Sequence, residues 1–153
     1  MRRLGKLTKI TNYLYNFSLP EHEGLNIVLV VDQDNATSQL TKASGDQLLI
    51  ALPEGRFSGY DVDQSQENVN VAFFALSKIN SPAKTKQLTQ ATYQRLLSLI
   101  SDVLERMTED ITGEKAGMPC PLLAGINIIS AEIIPEYSLF GGWSGYYLEM
   151  GLA

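Results

Sequence analysis

Apolar residues recur along the chain at helical spacing in some segments and as short runs in others. Near the amino terminus, Leu7, Ile10, Leu14 and Phe17 follow one another at intervals of three and four residues. This repeat is typical of an amphipathic helix whose apolar side faces a core. We therefore predict a short helix over residues 4–17.

The clearest helical pattern lies in the second half of the chain, where one apolar stripe continues for about five turns. Its members are Tyr93, Leu96, Leu97, Ile100, Val103, Leu104, Met107 and Ile111. Thr89 can cap the first turn, and Gly113 fits the position just past the last turn. We predict a helix over 89–112, packed on the sheet through Leu96, Ile100, Val103, Leu104 and Met107.

Apolar runs that are rich in β-branched residues or that alternate with polar residues predict strands. These runs span residues 25–31, 47–52, 69–79, 126–134 and 143–150. The third run is apolar on both sides at its centre, which favours a central place in the sheet. Pro53 and Pro135 are expected to end the second and fourth strands, because proline cannot donate to a strand ladder.

The remaining segments predict how these elements connect. Segments 32–46 and 53–68 are polar and long, and we expect loops there. A glycine-containing turn at 140–143 joins the last two strands in an antiparallel hairpin at the sheet edge. The predicted order is α-β-β-β-α-β-β. It indicates one α+β domain over 1–153, with a mostly antiparallel sheet of about five strands and two helices on one face.

Composition narrows the classes of function. The chain has 153 residues, 44% hydrophobic residues and a net charge of −5, which fits one core and argues against direct binding to nucleic acid. No apolar run is long enough to cross a membrane, so we expect no membrane association and a cytoplasmic location. Cys120 is the only cysteine, so no internal disulfide can form and a reducing compartment is expected.

Few residues suggest chemistry. The only histidine, His22, lies between two glutamates in a predicted loop, and we interpret it as a solvated surface residue. A nucleophilic pair of His22 and Cys120 lacks any supporting motif, and zinc needs three or four Cys or His ligands where the chain has two. The acidic stretches 32–35 and 61–65 lack the glycine and glutamate that complete a calcium loop. We predict no metal site, no cofactor and no enzymatic activity.

The segment from Ile133 to Met150 looks like a closing hairpin in which a Gly-Trp turn leads into a final strand. With a leading helix, three strands and a long helix before it, the chain resembles the tail-terminator and tail-completion proteins of long-tailed bacteriophages and prophages. The resemblance lies in the order of the elements and extends over nearly the whole chain. It implies a structural protein that assembles as a ring at the head-proximal end of the tail tube.

The same resemblance implies a homo-oligomer, such as a hexamer, with tail-tube and head–tail connector proteins as partners. The two long polar segments are candidate contacts between subunits, through Asp32, Asp34, Asp61 and Asp63. Acidic net charge also suits a conduit through which DNA slides without sticking.

A second hypothesis is a small α+β module that binds a compact ligand between sheet and helix. Its candidate lining is an aromatic cluster made of Tyr137, Phe140, Trp143, Tyr146 and Tyr147. The two hypotheses differ in expected mass. A ring predicts a hexamer or an assembly that depends on concentration, whereas a ligand module predicts a monomer or dimer. An enzyme is the third possibility and has no residues that favour it.

Overall fold

A five-stranded sheet forms the centre of the fold in a computed structural model that describes residues 5–58, 66–78 and 86–153. The α-helices of the described residues are α1 (Gly5–Tyr15), α2 (Gln33–Leu40) and α3 (Lys86–Thr112). The strands are β1 (Asn26–Val30), β2 (Gln47–Ser58), β3 (Gln66–Lys78), β4 (Ile128–Leu139) and β5 (Trp143–Leu152). A short 3₁₀ turn, Pro121–Leu123, precedes β4.

The strands lie in the order β1-β2-β3-β5-β4, with β1 and β2 parallel and every other neighbouring pair antiparallel. This arrangement confirms the predicted α+β class and the mostly antiparallel sheet. The central position of the third strand is also confirmed. So is the carboxyl-terminal hairpin, since β4 lies at one edge and pairs with β5.

Helix α2 corrects the predicted element order, because it lies within segment 32–46, where we expected only a loop. Parallel strands cannot be joined by a tight hairpin, and α2 provides the crossover from β1 to β2. The carboxylate of Asp32 caps it by accepting a hydrogen bond from the Asn35 backbone N–H at 2.8 Å. Its periodicity is weak because only Ala36 and Leu40 are buried.

The two predicted helices, α1 and α3, pack on one face of the sheet as expected, and the additional helix α2 packs on the other face. Alternate residues of a strand point to opposite faces. On the face of α1 and α3 the core contains Leu48, Ile50, Phe73, Ala75, Leu148 and Met150. On the face of α2 a smaller cluster contains Val30, Ala36, Leu40, Leu49, Leu76 and Trp143.

Two strands continue past the prolines that were expected to end them. Strand β2 contains Pro53, and its pairing with β3 shifts register between Ala51 and Glu54. Such an irregularity accommodates a residue that lacks an N–H. Strand β4 contains Pro135, which is tolerated because β4 is an edge strand and one side of its ladder is free.

Helix α3 confirms the predicted long helix and most of its apolar stripe. Leu96, Ile100, Val103 and Met107 are buried, and Leu104 packs half-buried against the same core. The prediction that Leu97 belongs to this stripe was wrong, since 38% of its surface is exposed.

The carboxyl end of α3 also agrees with its prediction. Gly113 has a φ of +71° and donates its N–H to the Glu109 carbonyl at 2.7 Å. A Cβ at this position would lie 2.2 Å from the backbone of Met118. Both the turn geometry and the close approach of the following loop therefore require glycine.

Candidate functional site

A polar cleft of about 490 Å³ lies beside the second half of α3. The helix contributes side chains that recur every three or four residues beside the buried stripe and therefore share one face. The charged lining consists of Glu21, Asp102, Glu105, Arg106, Glu109, Asp110 and Lys115. Five carboxylates and two cations give the cleft a formal charge of −3.

One end of the cleft joins α1 to α3. The Tyr13 hydroxyl donates a hydrogen bond to Asp110 Oδ2, and Arg106 Nε donates to the same oxygen at 3.1 Å. Burial raises the pKa of Tyr13, and the hydrogen bond to the Asp110 carboxylate raises it further. The hydrogen bond from Tyr13 to Asp110 therefore makes a structural contact between α1 and α3.

Both cations of the cleft are paired with carboxylates of α3. Arg106 contacts Asp110, and Lys115 Nζ lies 2.9 Å from Glu105 Oε1. Glu109 accepts hydrogen bonds from the backbone N–H groups of Lys115 and Ala116 at 2.6 and 3.0 Å. These contacts fold the loop after α3 back against the helix.

Beside the cleft, His22 contacts α3 next to the lining residues Glu21 and Asp102. His22 Nε2 lies 2.7 Å from Asp102 Oδ2, and the side chains are 27% and 36% exposed. The carboxylate of Glu21 completes a group whose donor atoms all lie within 4.8 Å of one another. The interpretation of His22 as a solvated surface residue was wrong, since its side chain is half-buried and pairs with Asp102. Sequence gives no signal of this contact because Asp102 is 80 positions away.

A second exposed feature is the outer edge of β4, with which no strand in the described part of the chain pairs. The strand has twelve residues, and all of them are exposed or half-buried. Ile129 near one end and Tyr137 near the other are 60% and 78% exposed. Unpaired backbone N–H and C=O groups on such an edge can accept a further strand.

The candidate interface aspartates are only partly described. Asp32 caps α2, and Asp34 lies in its first turn. Both are exposed and lie at the β1 side of the sheet, opposite to β4. Asp61 and Asp63 lie outside the described residues.

The five candidate aromatic residues do not meet in one pocket. On the face of α2, Trp143 is buried and Tyr147 stacks on Phe74 at 4.7 Å between ring centroids, with Phe140 against the same ring. Tyr146 points to the other face, where it contacts Tyr93. Tyr137 is exposed on β4. The alternation of neighbouring strand residues explains this separation.

No family model matches the chain, and no curated protein matches it.

Within the described residues, no helix combines the length and apolar character that a bilayer span requires.

Proposed function

We propose that the protein is a structural subunit that self-associates into a ring, in the manner of the tail-terminator proteins of long-tailed phages and prophages. The observation that carries the proposal is the free edge of β4, a twelve-residue strand with exposed apolar residues near both ends. The mostly antiparallel α+β fold and its closing hairpin support the same proposal.

The two ends of the sheet favour a head-to-tail contact between copies. A ring requires two unlike patches on each subunit, whereas a twofold dimer uses one patch twice. The free edge of β4 lies at one end of the sheet, and β1 with the exposed aspartates of α2 lies at the other. Repeated contact of one end with the other closes a ring when the rotation between neighbours divides a full turn.

The edge of β4 also carries features that limit pairing to a specific partner. Pro135 interrupts its row of donors near the middle, and Glu132 and Glu136 add charge on either side. Proline and charge on an edge strand suppress indiscriminate sheet extension. Together with the exposed Ile129 and Tyr137, they suit a defined contact with another copy of this chain.

This role needs no catalytic residue and no cofactor. The free subunit is cytoplasmic in this proposal, and its partners in the assembled tail are the tail-tube and head–tail connector proteins. The net charge of −5 suits a ring that DNA passes through without binding.

Light scattering coupled to size-exclusion chromatography tests the edge contact. Wild type is expected to elute as an oligomer, and Ile129→Lys is expected to shift it toward the monomer, because a buried lysine at the contact is unfavourable. Leu97→Lys is the matched control, since Leu97 is also exposed but lies on α3. If the control dissociates as strongly as Ile129→Lys, or if wild type is monomeric throughout, the proposal is wrong.

A further inference from the structure

Three side chains from two distant parts of the chain converge at one end of the polar cleft. Glu21 and His22 are neighbours in the connection between α1 and β1, and Asp102 lies in the middle of α3. Their donor atoms all lie within 4.8 Å of one another. In a tetrahedral zinc site, ligand atoms are about 3.4 Å apart. His22 Nε2 and Asp102 Oδ2 are now at the hydrogen-bond distance of 2.7 Å, so binding of the ion would replace this hydrogen bond and move the two side chains slightly apart.

The chemistry of the donors indicates the kind of ion. One imidazole nitrogen and two carboxylate oxygens form a mixed set, and imidazole suits zinc and other transition metals, whereas calcium and magnesium prefer oxygen ligands alone. We propose that Glu21, His22 and Asp102 bind a divalent transition-metal ion, zinc in particular. Three protein ligands leave a coordination position for water.

The surroundings favour a cation over an anion. Arg106 and Lys115 are the cations of the cleft, and their direct ion pairs are with Asp110 and Glu105. Arg106 also interacts with Glu21 through charge alone. The lining as a whole retains a formal charge of −3. A bound divalent cation would offset this excess and the repulsion between the Glu21 and Asp102 carboxylates.

The prediction of no zinc site counted only cysteine and histidine ligands, so it did not consider a site with one histidine and two carboxylates. A site made only of Cys and His needs more of them than the chain has, but a catalytic or accessory zinc site accepts Asp and Glu as ligands. Such a site would link the connection after α1 to α3, two segments 80 residues apart. Metal binding at this place is therefore expected to stabilise the folded chain.

Zinc titration of the chelator-treated full chain tests the proposal, with thermal unfolding, calorimetry and NMR as readouts. All proteins carry Cys120→Ser, which removes the only thiol. The only histidine gives one set of ring signals, so ligation of His22 is observed directly. We expect one zinc per chain, a higher Tm and a shift of the His22 signals.

Variants locate the site. Asp102→Asn and His22→Asn are expected to weaken zinc binding by about tenfold or more, and Glu23→Gln, adjacent to His22 but outside the group, is expected to leave it unchanged. Asp102→Asn is isosteric, and circular dichroism checks that both variants fold. Absence of saturable binding to the parent, or equal binding in the parent and Asp102→Asn, would overturn the proposal. Neither result bears on self-association through β4.

Discussion

At the scale of single residues, close approaches between backbones decide what each position tolerates. Gly145 in β5 faces Leu76 in the central strand β3. A Cβ built on Gly145 would lie 2.0 Å from the Ala75 carbonyl oxygen and 3.0 Å from a methyl group of Leu96. Strand and helix both approach the glycine, so neither neighbour can move without disturbing the core.

Gly145→Ala is therefore expected to destabilise the fold by at least about 2 kcal/mol, because the added methyl group overpacks a backbone contact. Gly5→Ala is the matched control, since a Cβ there meets nothing within 4 Å. Urea unfolding measures both. Equal midpoints for Gly145→Ala and wild type would show that β3 and β5 do not approach as described.

Tyr147 gives a prediction about pH. Partial burial, followed by the neighbouring Glu149 carboxylate, raises the pKa of Tyr147 to about 12 from its ordinary value of 10.0. The unfolded chain thus releases this proton at lower pH than the folded chain. The contribution of neutral Tyr147 to the free energy of unfolding is therefore complete below pH 10 and is lost as the pH rises through 12.

Wild type is expected to lose more stability than Tyr147→Phe as the pH rises from about 10 to 12. Phenylalanine keeps the stacking on Phe74 but removes the ionisable hydroxyl. The free energy of unfolding in urea, measured for both proteins across this range, makes the comparison. Parallel curves would mean that Tyr147 titrates alike in the folded and unfolded chains.

At the scale of elements, a helix could be predicted from the sequence only when it contributes many buried positions. Helix α3 repeats its apolar stripe over 27 residues, so its position and its face are visible in sequence. Helix α2 has eight residues and two buried ones, too few for a periodic signal. Pro53 and Pro135 led to wrong strand ends. The sheet tolerates Pro53 at a bulge and Pro135 on an edge strand, and neither feature is visible before the pairing of the strands is known.

Replacing Ile100 with aspartate tests the packing of α3. Ile100 is fully buried against the sheet, and a carboxylate there would have no partner in the apolar core. We expect a loss of several kcal/mol, about 4 or more. Leu97→Asp is the control on the same helix, expected to cost little because Leu97 is exposed. A melting temperature for Ile100→Asp equal to that of wild type would contradict this packing.

At the scale of the whole molecule, the fold class followed from the order of elements, but the arrangement of side chains at the polar cleft did not. The contact of His22 with Asp102 joins positions 80 residues apart, and no local pattern indicates it. Likewise, Tyr146 and Tyr147 are adjacent in sequence yet lie on opposite faces of the sheet. Local aromatic density was therefore a poor guide to a pocket.

The free edge of β4 and the β1 end of the sheet are the two surfaces that a ring would join. Pairing of these two surfaces occurs only between copies of the chain, so the fraction of chains in the oligomer depends on protein concentration. The alternative of a ligand-binding module predicts a monomer or dimer and no closed ring. Mass measured in the native state separates the two more directly than any variant.

Native mass spectrometry of the wild-type chain over a wide concentration range is the most direct test of self-association. We expect one closed oligomer, such as a hexamer, to replace the monomer as concentration rises, because identical head-to-tail contacts close at a fixed number of subunits. A monomer or a twofold dimer at every concentration, with and without a tail-tube protein, would contradict ring formation.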